Sequence, residues 1–398
     1  MSLKIGVCGT GQFAPSFIRL FQAHPQVSEV CIAAILPERR AQVAERFGIR
    51  RAYATLDELC ASDVDAIALL TQRWLHGPQA LQALRAGKHV YSAVPAAITL
   101  GELCALVSEV GNSGLTYMLG ETSYYYPCTL YCRERYRKGD FGGFVYGEAE
   151  YLHDMSHGFY AAYQFSGGDA WKRDASFPPM LYPSHSVSMI LSVTGARMTD
   201  VSCLGYVDRA GDGVFDQAVS RFGNDLSNET ALFRTSDGGM CRINEFRRVG
   251  LVGGSSVRMS LYGTAGCYEE QANARVWTTL KAEELTDLSA LLACKGIPLR
   301  EAVRDGVPPE LAEEFFSGVS AVHPVERLPL EFRGLPNGHS GSHQFLVLDF
   351  IEAVLSGRPA PNHVWAAARY CAPGMVAHQS ALQGGVRLPI PDVGWPAG

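Results

Sequence analysis

The chain has 398 residues, 47% of them hydrophobic and 19% charged. That suits a well-packed globular protein and exceeds one ordinary core, so two domains are expected. The formal net charge of −6 comes from dispersed acids; no basic face points to nucleic acid and no polybasic run to an anionic membrane surface. Apolar stretches break off well before the roughly 18–20 residues of a membrane span. The opening M-S-L-K-I-G enters a strand almost at once, which reads as a chain without a secretion signal. Its 11 cysteines lack framework spacing, and the pair Cys128 and Cys132 has no second pair to complete a zinc site. Reduced, mostly buried thiols in a cytoplasm are expected, and no metal.

In chain order, L-K-I-G-V-C-G predicts a strand and A-P-S-F-I-R-L-F-Q-A-H an amphipathic helix with Pro15 in its first turn. E-V-C-I-A-A-I-L is a second strand, and E-R-R-A-Q-V-A-E-R-F a helix stopped by Gly48. D-A-I-A-L-L-T is a third strand, followed by a helix closed by Gly87. His89 to Tyr91 begins a fourth strand that Pro95 stops, Thr99 to Val110 a further helix, and L-T-Y-M-L-G-E a last strand. Strands apolar throughout, alternating with amphipathic helices, mean a parallel sheet covered on both faces.

After Tyr126 the texture changes. F-V-Y-G-E-A-E-Y-L-H, V-S-C-L-G-Y-V, E-T-A-L-F-R-T, M-C-R-I-N-E-F and S-V-R-M-S-L-Y-G alternate with period two, which predicts a large, open, mainly antiparallel sheet. A helix from His185 to about Val193 interrupts it. Residues 281–335, rich in Pro, Glu and Leu, resist assignment. H-Q-F-L-V-L-D-F-I-E-A-V-L predicts a helix, and a helical stretch from Trp365 to Ala381 is expected to be divided by Pro373.

The segment I-G-V-C-G-T-G-Q-F-A places Gly9-x-Gly11-x-x-Ala14 between a strand and a helix. Gly9 permits the tight turn, Gly11 lets backbone approach a pyrophosphate, and Ala14 keeps helix and strand close. The fold class is therefore α/β: an N-terminal Rossmann dinucleotide-binding domain over 1–122, then a C-terminal α/β domain over 123–398. No acid stands at the tip of the second strand, which ends A-I-L-P-E-R-R. Glu38 is late for a ribose contact, and Arg39 or Arg40 reads either as a partner for a 2′-phosphate or as a solvated residue, so NAD and NADP both remain open.

This order of motifs resembles the glucose–fructose oxidoreductase / inositol dehydrogenase (Gfo/Idh/MocA) family over nearly the whole chain. The resemblance rests on I-G-V-C-G-T-G, D-A-I-A-L-L-T with His76 after it, A-G-K-H-V-Y-S-A-V-P, Gly120-Glu121, K-G-D-F-G-G-F-V-Y-G-E and D-F-I-E-A-V-L-S-G-R-P. It implies dinucleotide contacts at Gly9, Gly11, Gln12, Phe13, Thr71, His76, Val94 and Pro95, a homo-oligomer through the open sheet, and His185 as the acid/base. Two signatures are altered: Ala93-Val94-Pro95 stands where the family usually has Glu-Lys-Pro, and Tyr182-Pro-Ser-His185 lacks the usual aspartate before the histidine. These departures resemble the branch of NAD-dependent glycosidases of the α-N-acetylgalactosaminidase type. That branch implies an active-site set of Glu121, Tyr151, His153, Tyr182 and His185.

Read from the residues themselves, a histidine suits removal of a hydroxyl proton near neutral pH. Without the resemblance, His185 reads as a satisfied core histidine. Tyr182, three residues earlier, would share its helix face. Tyr151 and His153, two apart on a strand, point to one face, either lining a crevice or forming a polar strand end. His153, Asp154 and His157 do not offer helical ligand spacing. Tyr124, Tyr125 and Tyr126 suit either a sugar or packing between domains. Lys172 or Arg173 is a candidate for the cation missing at Val94, though a solvated loop suits both better. His339 resembles a family position near the substrate, whereas His343 reads as structural.

The functional expectation is an NAD- or NADP-dependent oxidoreductase acting on a carbohydrate-like small molecule. The alternatives are an NAD-dependent glycosidase and a cofactor-binding protein without catalysis.

Overall fold

The computed structural model describes residues 2–251, 256–281, 283, 285–299 and 314–394. They divide into two units, one of residues up to Leu130 with Leu291–Ala368, the other of Tyr131–Ala290 with Arg369–Gly394.

In the first unit six strands form a parallel sheet: β1 Leu3–Cys8, β2 Val27–Ala33, β3 Ala52–Tyr53, β4 Ala66–Leu69, β5 His89–Ser92 and β6 Tyr117–Leu119, in the order β3-β2-β1-β4-β5-β6. The order reverses between β1 and β4, and ligands of open α/β sheets bind beyond the carboxyl ends of strands at such a reversal. Gly9 leaves β1 there at φ 106°, and a Cβ on it would run into the Leu70 carbonyl oxygen after β4. Only glycine satisfies both demands. The two-residue β3 and the short helix Leu56–Cys60 went unanticipated, being too brief to show a period.

Helix α1, Ala14–Ala23, buries Phe17, Ile18, Leu20 and Phe21. Part of what they pack on comes from far along the chain. Helix Gly338–Ser356 buries Phe345 and Phe350 in the same core, with Phe350 6.4 Å from Phe21 and 5.6 Å from Tyr91 between ring centroids. A domain cut at 122 leaves this helix out of the unit whose core it completes. Burying one such ring contributes about 2 kcal/mol, so the helix goes where an apolar face awaits it, and sequence distance does not enter.

The second unit carries a nine-stranded sheet: β7 Phe144–Leu152, β8 Met198–Val207, β9 Leu226–Thr235, β10 Met240–Phe246, β11 Val257–Gly263, β12 Gly266–Glu270, β13 Arg275–Thr279, β14 Thr286–Asp287 and a last strand, Leu388–Pro389. Its order is β14-β13-β12-β11-β7-β10-β9-β8 and then Leu388–Pro389; all pairs are antiparallel except β7 with β10. Helix Ser184–Thr194 lies against β7, close enough that a Cβ on Gly147 would stand 3.1 Å from Ile190 Cδ1.

Pro373 does not divide the last helix, which runs continuously from Val364 to Leu382. A proline inside a helix costs about 3 kcal/mol, but Met375, Val376 and Ala377 beyond it are buried. Their burial outweighs the lost hydrogen bond. At the next residue, Gly374, a Cβ would collide with the Met180 carbonyl and the Pro183 ring, so the helix presses directly on the turn before Tyr182. Part of the span 281–335 lies outside the described residues; the rest includes short strands and 3₁₀ turns. Among the described residues no helix is long and apolar enough to cross a membrane.

Candidate active site

The expected site residues fall into both units. In the first, the loop Gly9–Phe13 connects β1 to α1, whose N-terminal turn has no side-chain cap. A Cβ on Gly11 would meet nothing within 4 Å. An open glycine cradle beneath uncapped helix amides fits a dinucleotide's pyrophosphate.

His76 is buried, with Nδ1 2.9 Å from the Pro95 carbonyl oxygen and Nε2 3.2 Å from that of Thr71. Burial pushes its imidazole down to about 4, so the ring is neutral and donates from one nitrogen, the shorter contact to Pro95. His76 therefore ties the β4 end to the Val94-Pro95 step. Thr71 Oγ1 donates in turn to Gln79 Oε1. Val94 is an apolar, buried side chain and Pro95 follows it through a cis peptide.

Glu121 is completely buried, and its Oε1 accepts from Ser123 N at 3.0 Å and Ser123 Oγ at 2.8 Å, capping the turn Thr122–Tyr125. At the tip of β2, Arg40 Nη1 donates to the Ala34 carbonyl at 2.7 Å. Phe13 of the glycine loop meets His339 and His343 edge-on, at 5.4 and 5.3 Å between centroids. His339 Nδ1 lies 2.8 Å from His343 Nε2, and both His339 and Ser340 adopt left-handed backbone. Tyr125 is interior: it stacks on Phe345 at 4.9 Å and donates to Asp349.

The second unit gathers Tyr151, His153, Tyr182 and His185. The Tyr151 ring lies 5.3 Å from His185, 6.0 Å from Tyr182 and 5.3 Å from His153; Tyr182 and His185 are 5.2 Å apart. His153 stacks on Phe159 at 4.3 Å. Burial, with Arg247 adding to it, pushes His153 down to about 4, so it is neutral at ordinary pH. Tyr182 and His185 do not share a helix: Pro183 caps the helix that begins at Ser184, and Tyr182 sits on the preceding turn. Because that turn folds back, the two rings still meet.

Asp154 accepts from Ser156 N, Ser156 Oγ and Val249 N, a loop-capping role. Lys172 Nζ donates to the Asp212 carbonyl at 2.7 Å. The cation beside the aromatic cluster is Arg247, whose guanidinium stands 4.7 Å from the Tyr151 centroid and 2.9 Å from Glu245 Oε2. Sequence reasoning missed Glu245, Arg247 and Glu229. A signal was present: in M-C-R-I-N-E-F-R the face carrying Cys241 and Ile243 continues with Glu245 and Arg247, so charges interrupt an otherwise apolar side of the alternation.

Residues 3–121 match the oxidoreductase family with an NAD-binding Rossmann fold, Gfo/Idh/MocA. A glycosyl hydrolase family 109 protein of Shewanella amazonensis is 28% identical over 198 residues, 47% of this chain and 44% of that protein. A 4-carboxy-2-hydroxymuconate-6-semialdehyde dehydrogenase of Sphingobium is 29% identical over 139 residues, 35% of this chain and 44% of that protein. The chain thus spans less than half the length of these two curated relatives. The structure of levoglucosan dehydrogenase with NADH and levoglucosan superposes with a TM-score of 0.72 at 15% identity, covering 98% of this chain and all of that one, a likeness of fold. Residues 3–121 are thus similar to the NAD-binding Rossmann domain of the Gfo/Idh/MocA oxidoreductase family, and the chain as a whole shares the fold of levoglucosan dehydrogenase.

Proposed function

We propose that the protein is a nicotinamide-dependent oxidoreductase acting on a hydroxyl of a sugar, a cyclitol or a related hydroxy compound. The observation that carries this reading is the convergence of His185 with Tyr151 and Tyr182 in the second unit. The glycine loop, Gln12 and Phe13 would hold the dinucleotide, with Thr71, Val94 and Pro95 fixed around His76. Bound NAD or NADP supplies the hydride acceptor. His185 takes the hydroxyl proton, because an alkoxide releases hydride far more readily than an alcohol. Tyr151 and Tyr182 meet the imidazole edge-on, at 5.3 and 5.2 Å, and offer phenols to neighbouring hydroxyls. Purified protein with NAD or NADP should show reduced-nicotinamide absorbance with at least one member of a polyol and sugar panel; silence across the panel with both dinucleotides overturns the reading.

A second reading is favoured by the apolar Val94 and the absent lysine. In a redox-neutral glycosidase, oxidation at one sugar carbon acidifies its neighbour, elimination expels the aglycone, and the hydride returns. Cleavage of an aryl glycoside without net reduced nicotinamide distinguishes it. Leu204, Tyr206, Leu232 and Met240 are exposed on adjacent strands β8, β9 and β10, which supports self-association through that face. Buried thiols such as Cys8, pushed up to about 12 by burial, support a reducing, cytoplasmic setting.

A further inference from the structure

One row of residues crosses the buried face of the second sheet. Glu245 on β10 is in register with Tyr151 on β7 on one side and with Glu229 on β9 on the other. Both glutamates are completely buried. Two carboxylates directly opposite on neighbouring strands destabilise a sheet, and buried charges are tolerated only where hydrogen bonds and opposite charges compensate them.

The partners of both carboxylates flank one short segment. Glu229 Oε2 accepts from the backbone N–H of Met180 at 2.7 Å, two residues before Tyr182, and its Oε1 lies 2.9 Å from His378 Nδ1. Glu245 Oε1 accepts from Ser186 Oγ at 2.6 Å, one residue after His185. Its other oxygen holds Arg247, which lies over the Tyr151 ring and donates to the Tyr151 carbonyl at 3.3 Å.

We propose that Glu229 and Glu245 are positioning residues that clamp the Tyr182–His185 segment at its two ends, with Arg247 extending the clamp to Tyr151. This rests on the reading of His185 as the proton acceptor. The clamp accounts together for two features: the paired buried acids, and a tyrosine and histidine brought together across a proline-broken helix start. Each carboxylate turns to its own donors, which separates the two charges. Burial pushes Glu245 up to about 7, against the pull of Arg247, Ser186 and His185.

Ser186→Ala removes one hydroxyl and is the mild probe; Ser186→Thr restores it; Glu245→Gln is the stronger variant. Imidazole signals of ¹⁵N-histidine-labelled protein without added dinucleotide, with His185 assigned through His185→Gln, report position independently of turnover. In Ser186→Ala and Glu245→Gln the His185 signals shift or split while those of His24 and His89 stay. With any substrate the panel yields, kcat falls about ten- to a hundredfold with KM within about twofold, and Ser186→Thr recovers most of it. Unchanged His185 signals in both variants overturn the clamp, whatever happens to thermal stability. If Glu245→Gln does not fold, Ser186→Ala decides alone. If wild-type protein turns over nothing, the function fails, yet the imidazole signals still decide the clamp.

Discussion

Glu229 and Glu245 face each other across β9 and β10, both buried, and neither bonds the other: one is turned to Met180 and His378, the other to Ser186 and Arg247. A sheet that places two acids side by side in its interior has its polar chemistry built into the core. Several of its consequences are measurable.

The first is a pH dependence of stability. Glu245 has its proton held more tightly in the folded protein, at about 7, than the 4.5 of an exposed glutamate, because burial disfavours the carboxylate. Its contribution is therefore complete below about pH 4.5 and is lost as pH rises toward 7, by at most ~3 kcal/mol. Glu229, His185, Arg247 and Tyr151 surround it. Thermal melts from pH 5 to 7.5 should show a shallower dependence in Glu245→Gln than in wild type.

Arg247→Met should be worse than Glu245→Gln. It strips a buried carboxylate of its cation, which costs about 3–5 kcal/mol. The double variant Arg247→Met/Glu245→Gln should recover part of that loss, since no charge is left uncompensated. Urea unfolding of the three variants measures the coupling; strictly additive effects would refute it.

Buried neutral histidines set the acid limit. His76 is pushed to about 4 and His343 to about 3, both by burial, from an ordinary 6.5. Their contribution is complete above about pH 6.5 and is lost as pH falls through 4. A His343→Leu variant should lose less stability than wild type between pH 6.5 and 4 in the same melts.

Gly9→Ala should abolish dinucleotide binding. The φ of 106° and the Leu70 carbonyl both reject a Cβ, so β1 and β4 must separate. A loss of more than about 1 kcal/mol in stability, with no saturable quench of protein fluorescence by NADH or NADPH, is expected. Retained quenching at wild-type affinity would show that the loop is not the pyrophosphate site.

His185→Ala should lower kcat by about a thousandfold or more while leaving the dinucleotide quench unchanged, because the glycine loop, and not His185, is given the role of holding the dinucleotide. Turnover within about tenfold of wild type would remove His185 from the role given to it here.

The sequence by itself determined what short-range physics controls. Apolar strands alternating with amphipathic helices specified the parallel sheet, since a strand buried on both faces has no polar side to show. Gly9, Gly48 and Gly87 marked turns because left-handed backbone excludes most other residues. Tyr151, His153, Tyr182 and His185 were legible as chemistry-bearing types, and the fold brings them together.

Tertiary structure alone decided the rest. It placed helix Gly338–Ser356 in the core of the first unit, carried the last helix through Pro373, and set Tyr151, Glu245 and Glu229 in one row. Strand alternation reports which face a residue takes, but not which residue of which strand stands opposite. Register is fixed by pairing across long stretches of chain, and so is the choice of sheet for an apolar helix. Those are the contacts that put a glutamate beside the site, and a local pattern does not contain them.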